Sequence, residues 1–212
     1  MSDQLRDFLA KARGSLDRQA AVNDQVVEPW GFAALRGRLV ELSARGASAT
    51  LTSATGLVLE AQLASEPVVW ITLASGSFYP PDVADSGVDL AALVVIRVHD
   101  ATSAARAAER VLRSGAFGLV VLDLGAHSHE ITMVHQGRLV TLAQAHDAAV
   151  ICLTDKTADT ASLGSLVSLR AEALRTRAAP SKDFELTVHA LKDKRRGPGW
   201  SKKIKARGPA GY

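Results

Sequence analysis

The sequence predicts an α/β fold with a mostly parallel central sheet, and three observations carry that reading. Apolar runs of strand length recur at 38–42, 67–73, 90–98, 119–122 and 149–153, separated by helical or small-residue stretches. The runs are apolar throughout instead of alternating, as strands are when helices cover both faces of a sheet. The alternation then stops: 163–174 and 184–191 are both β-like and are joined by a polar turn holding Pro180. Two strands with no helix between them predict a C-terminal antiparallel hairpin.

Residues 3–18 place Leu5, Phe8, Leu9, Ala12 and Leu16 at helical spacing, with charges opposite, and predict an amphipathic N-terminal helix. Residues 21–36 have no clear period and contain Pro29 and Gly31, so they read as a linker. Residues 1–36 are therefore expected to be an appendage, 37–194 the core and 195–212 a basic tail. The first core strand, Arg38–Leu42, runs through small residues into a helix ending near Ala64. After the strand Pro67–Leu73, Pro80 and Pro81 break the chain, and Leu90–Val98 is the next strand. Residues 102–114 form a strong helix, with Thr102 or Ser103 as its cap and Gly115 as its stop. Leu119–Leu122, a helix near Gly137–His146 and the strand Ala149–Leu153 complete the alternating part.

Composition narrows the function classes. No apolar run reaches the roughly 18 residues of a membrane helix, and no signal peptide is visible, so a cytoplasmic protein is expected. One cysteine, Cys152, excludes an internal disulfide framework and a multi-cysteine zinc site. The net charge is +3, but Lys192–Tyr212 holds eight bases and one acid, leaving 17 bases against 21 acids in residues 1–191. A mildly acidic body with a basic end points to a polyanion or an acidic protein surface as partner.

The chemistry-bearing motifs are mostly incomplete. A phosphate-binding loop needs glycines, a lysine and a hydroxyl where a strand runs into a helix. Residues 41–51 (ELSARGASATL) keep one glycine and several hydroxyls, yet no lysine occurs between Lys11 and Lys156. Leu119–Asp123 fits the apolar strand ending in an acid that holds magnesium. The carboxylate expected after the 67–73 strand is missing, since Ser75 stands there. His127, His129, Glu130 and His135 lack an apolar frame to position them as metal ligands. Ser43, Ser48, Thr50 and Ser53 sit where a helix begins, as capping hydroxyls do. Cys152 reads as a small core residue, and Trp200 as either a base-stacking residue or an anchor of the basic end. No catalytic residue, cofactor-binding residue or metal ligand is therefore assigned.

Gly37-Arg38-Leu39-Val40-Glu41-Leu42 resembles the first core strand of the bacterial recombinase RecA. Ser86-Gly87-Val88-Asp89-Leu90, Arg113-Ser114-Gly115-Ala116 leading into Leu119–Asp123, Ser168-Leu169-Arg170 and Lys192-Asp193-Lys194 follow at corresponding spacing. A short RecA-like core without the lysine or the carboxylate, ending in Lys-Asp-Lys-Arg-Arg-Gly-Pro, resembles the ImuA family. That resemblance implies a RecA-like core and a non-catalytic adaptor of SOS-induced translesion mutagenesis. Its partner would be ImuB, with an error-prone replicative-class polymerase reached indirectly. It further implies a partner surface at the strand Leu93–Val98 (Leu93, Val95, Arg97) and on the following helix (Arg106, Arg110, Arg113). RecA itself, and a second copy of the chain met through the N-terminal helix, are further partners it admits. DNA is expected on Lys192, Lys194, Arg195, Arg196, Lys202, Lys203, Lys205 and Arg207. The alternatives are a modulator or inhibitor of RecA filaments and a division inhibitor of the SulA type.

Overall fold

In the computed structural model, the structure describes residues 28–45, 48–74, 76, 78–127, 131–176 and 183–207. The order is α1 (Phe32–Leu35), β1 (Arg38–Ser43), α2 (Thr50–Leu63), β2 (Val68–Leu73), α3 (Pro80–Asp85), a 3-10 turn (Leu90–Ala92) and β3 (Leu93–Val98). Then come α4 (Ala101–Arg113), β4 (Leu119–Gly125), α5 (Met133–Ala145), β5 (Ala149–Thr154), β6 (Leu169–Thr176), β7 (Asp183–Asp193) and β8 (Ser201–Arg207). The strands form one sheet in the order β3-β2-β4-β5-β1-β6-β7-β8. Pairings from β3 through β6 are parallel, while β6–β7 and β7–β8 are antiparallel. The predicted mixed sheet with a C-terminal hairpin is present, and β8 extends that hairpin by one strand.

Alternate side chains of the central strands feed two cores. Val40, Leu42, Trp70, Val121 and Ile151 pack under α2. Leu39, Val69, Ile71, Val120 and Val150 pack under α4 and α5. The alanines Ala101, Ala104, Ala105 and Ala108 let α4 lie close on the sheet. Its cap is Asp100, whose Oδ1 accepts the Ser103 N–H at 2.6 Å, so the helix begins just before the predicted Thr102 or Ser103. Gly115 takes the left-handed conformation (φ 66°) that stops this helix, as predicted.

Two expected boundaries are corrected. Residues 28–35 are not a linker: Trp30, Phe32 and Leu35 are buried in the first core. The Phe32 N–H donates to Glu60 at 2.6 Å, and Arg36 bridges Glu66 and Asp147. The basic end is not a free tail either, because Ser201–Arg207 pairs along β7 with Ile204 and Ala206 turned onto the core. Smaller shifts follow local chemistry. Pro80 and Pro81 open α3 instead of only breaking the chain, which suits proline's fixed φ at a first helical turn. The strand expected from Leu163 begins at Leu169, and the helix expected near Gly137 begins at Met133. The predicted helix over residues 3–18 lies outside the described residues.

Two buried ionic centres hold the fold's late segments. Glu41 of β1 is fully buried and accepts from Ser162 Oγ (2.7 Å), the Leu163 N–H (2.9 Å) and Thr154 Oγ1 (3.2 Å). Lys156 stands 3.2 Å away and Arg170 3.8 Å, so the carboxylate pins the connection after β5 against β1. Asp193, at the end of β7, meets Arg38 of β1 at 2.6 Å, with both side chains buried. Buried ion pairs of this kind are costly to break by removing one member.

Candidate functional site

Three regions received the functional expectations. The first is the turn from β1 into α2. Ser48 bridges Leu174, and the Ala49 N–H donates to Ala173 O at 2.9 Å, so the two residues before α2 are tied down on β6. No side chain caps α2 in the usual way; Ser48 Oγ lies only 3.4 Å from the Thr50 N–H. Two described bases near the turn are paired with acids, Arg45 with Asp155 at 3.3 Å and Lys156 with Glu41 at 3.2 Å, while Arg175 and Lys205 line a groove together with Ser48, Ala49 and Thr50. Across the turn, Trp70 fills the face of the sheet, its ring 5.3 Å from that of Phe78.

Asp123, near the end of β4, is 8% exposed. Burial pushes its carboxyl above the ordinary aspartate value, and the Thr72 hydroxyl, donating at 3.1 Å, opposes that only in part. The Trp70 indole is directed at the same carboxyl without closing a hydrogen bond. This acid is thus buried and hydrogen-bonded to the neighbouring strand β2. Ser75 lies outside the described residues.

The second region is the β3 edge with α4. Among the described residues β3 pairs only with β2, so its outer side is open. Leu93 is buried, Val95 packs on the first core, and Arg97 is exposed. The Ala74 N–H donates to Val98 O, which turns Val98, Ile96 and Val94 toward β2. The N–H and C=O groups of Leu93, Val95 and Arg97 therefore point outward, since these directions alternate along a strand. The opposite edge, β8, carries Lys202, Lys203 and Lys205, the charged guard that discourages strand addition. β3 has one charge in six residues and leaves Val94 46% exposed.

Arg106, Arg110 and Arg113 form one ridge on α4, as their spacing predicts, and border a depression of about 260 Å³ with Glu109. Glu109 is buried between them and α5, where His135 Nδ1 (2.7 Å) and Arg138 (3.4 Å) meet its carboxylate. The ridge thus faces α5 and solvent, while Ala107 and Val111 occupy the flank toward β3. Strand edge and ridge therefore lie on opposite flanks of α4.

The third region is the basic end. Lys194 Nζ donates to Ser165 O at 2.6 Å, and Lys202 Nζ to Trp30 O at 2.9 Å. Lys192 is half-buried, and burial lowers its ammonium pKa. Lys203 is mostly exposed beside Glu185, and Arg195, Arg196 and Lys205 are exposed. The Arg207 side chain lies outside the described residues. Trp200 is an anchor: half-buried on the first core, its indole N–H donates to Asp193 at 3.1 Å.

Among the described residues of this end, Arg195, Arg196 and Lys205 are exposed with Lys203, which Glu185 partly neutralises, and these four are the cations open to a polyanion. Neutralising Arg195, Arg196, Lys203 and Lys205 together should therefore weaken single-stranded DNA binding and flatten its log–log salt dependence by about 3, at roughly 0.7 per phosphate. An unchanged slope in fluorescence-anisotropy titrations would remove DNA from this surface. Point variants are the proper probe, because deleting 195–212 would strip β8 from the sheet.

The other candidates are placed only in part. His135 belongs to the Glu109 pair, and His129 and Glu130 lie outside the described residues. No group of three metal-ligating side chains occurs among the described residues. Cys152 is buried in β5, where burial drives its thiol far above the ordinary value. Sequence reasoning missed Glu41 and Asp193 as organising charges; an acid inside an apolar strand and an acid between two lysines were the available signals. No helix among the described residues is long and apolar enough to cross a membrane. No protein-family model and no curated protein matches the chain.

Proposed function

We propose that the chain is a RecA-like adaptor without catalysis of its own, of the ImuA type, that binds ImuB in SOS-induced translesion synthesis. The observation that carries this reading is the asymmetry of the sheet: a lysine-guarded edge at β8 and an open, nearly uncharged edge at β3. Open edges accept an added strand through main-chain hydrogen bonds, with neighbouring side chains supplying specificity. The arginine ridge on α4 supplies cations for an acidic element of the same partner. The exposed bases of the β7–β8 end provide a second, sequence-blind contact to DNA.

The turn into α2 supports the non-catalytic part. Phosphoryl transfer depends on cations placed at the outer phosphates and on an ionised magnesium ligand. Here Ser48 and Ala49 are bonded to β6, Arg45 and Lys156 are paired with acids, and burial disfavours the charge on Asp123. Purified protein is accordingly expected to release no phosphate from ATP, with or without single-stranded DNA. Steady-state release that Asp123→Ala abolishes would overturn this.

A further inference from the structure

A groove of about 840 Å³ opens on the α2 side of the sheet, between the start of α2, α3 and the inner faces of β6–β8. Trp30, Trp70, Phe78 and Leu186 lie in its floor, and Leu51 and Tyr79 stand exposed at its rim. We propose that this groove seats the chain's own N-terminal segment, residues 3–18, within the same molecule.

The chain enters the described fold at the margin of this groove. Lys202 Nζ lies 3.5 Å from the Glu28 carboxylate and donates to the Trp30 carbonyl, and Trp30 itself lines the groove. Residues 19–27 can span up to about 30 Å, enough to bring residue 18 back across it. The segment's apolar positions (Leu5, Phe8, Leu9, Ala12 and Leu16) recur at helical spacing and match an aromatic floor. Its flanks carry both signs (Asp3, Arg6, Asp7, Lys11, Arg13), as do the rims, with Asp82 and Asp85 on α3 facing Arg175 and Lys205 across the groove.

Two details of α2 indicate that the groove is shaped for a close neighbour. Ser53 lies along the groove wall, and its buried Oγ has no hydrogen-bond partner. Gly56 also lines the groove, and a side-chain carbon there would meet nothing within 4 Å. A glycine inside a helix beside open space suits the close approach of another segment.

The test is the rate of tryptic cleavage after Arg6, Lys11 and Arg13 in the native full-length protein. Phe8→Asp/Leu9→Asp removes the apolar stripe and alters no residue of the described fold, while Gly56→Phe fills the groove from the other side. Docking predicts that both variants are cut at least about tenfold faster than wild type at unchanged circular dichroism, because a seated segment must open before it is cleaved. Equal rates in all three proteins would overturn the proposal. Acceleration by Phe8→Asp/Leu9→Asp but not by Gly56→Phe would place the seat elsewhere. Protection that disappears on dilution would assign the groove to the segment of a second copy and equally overturn docking within one molecule.

Discussion

Asp193→Ala is expected to lower folding stability by about 3–5 kcal/mol, the scale for removing one partner of a buried ion pair. The Asp193 carboxylate accepts from Arg38 Nη2 (2.6 Å), the Arg195 N–H (2.9 Å) and the Trp200 indole (3.1 Å). Without it the buried Arg38 guanidinium keeps its bonds to Ser168 Oγ (3.0 Å) and Ser168 O (3.1 Å) but loses its ion-pair partner. Burial already pulls Arg38 below the ordinary arginine value, yet a guanidinium does not discharge at working pH. The same substitution frees Trp200 and loosens the turn between β7 and β8, so the basic end should fray with it.

The pH dependence has a definite sign. Burial alone would raise the Asp193 carboxyl, but its three donors outweigh that and hold it below the usual aspartate value. A depressed folded-state value adds stability that is complete above the unfolded value of about 3.9 and is lost as pH falls through the folded one. Urea midpoints of wild type should therefore drop more steeply on acidification below about pH 4 than those of Asp193→Ala. Parallel acid curves, or a loss under about 1 kcal/mol at pH 7, would show that the pair contributes little.

The parallel half of the sheet was legible because buried parallel strands are continuous apolar runs, and β1 through β5 all fall on such runs. Trp30–Leu35 was not, since Pro29 and Gly31 signal a break. The stretch is buried by the first core, and the acids that tie it and Arg36 down, Glu60, Glu66 and Asp147, are 28–111 residues away. β8 was hidden by its own guard, because lysines that keep an edge strand soluble also make a sequence read as a solvated tail. Its signal was the inward set Lys202, Ile204 and Ala206, with the Lys202 ammonium reaching back to Trp30. The arginine ridge was visible as spacing, but its direction was not. That depends on Glu109 meeting His135 and Arg138, 26 and 29 residues further along.

The largest functional effect is expected at the β3 edge. Arg97 offers an outward N–H and an exposed side chain, so Arg97→Pro deletes an edge donor without removing a ladder bond to β2. Proline on an edge strand is tolerated by the fold but refuses an added strand. Arg106→Glu/Arg110→Glu reverses the ridge on the other flank of α4, where the like charges would repel an acidic element. The decisive measurement is the affinity of full-length wild type, Arg97→Pro and Arg106→Glu/Arg110→Glu for ImuB, by calorimetry at fixed salt with folding checked by circular dichroism. An adaptor docking through its open edge predicts a loss of about 30-fold or more for Arg97→Pro and about tenfold for the reversal, the latter shrinking at high salt. Wild-type affinity in Arg97→Pro, or no ImuB binding by the wild-type chain, would contradict it.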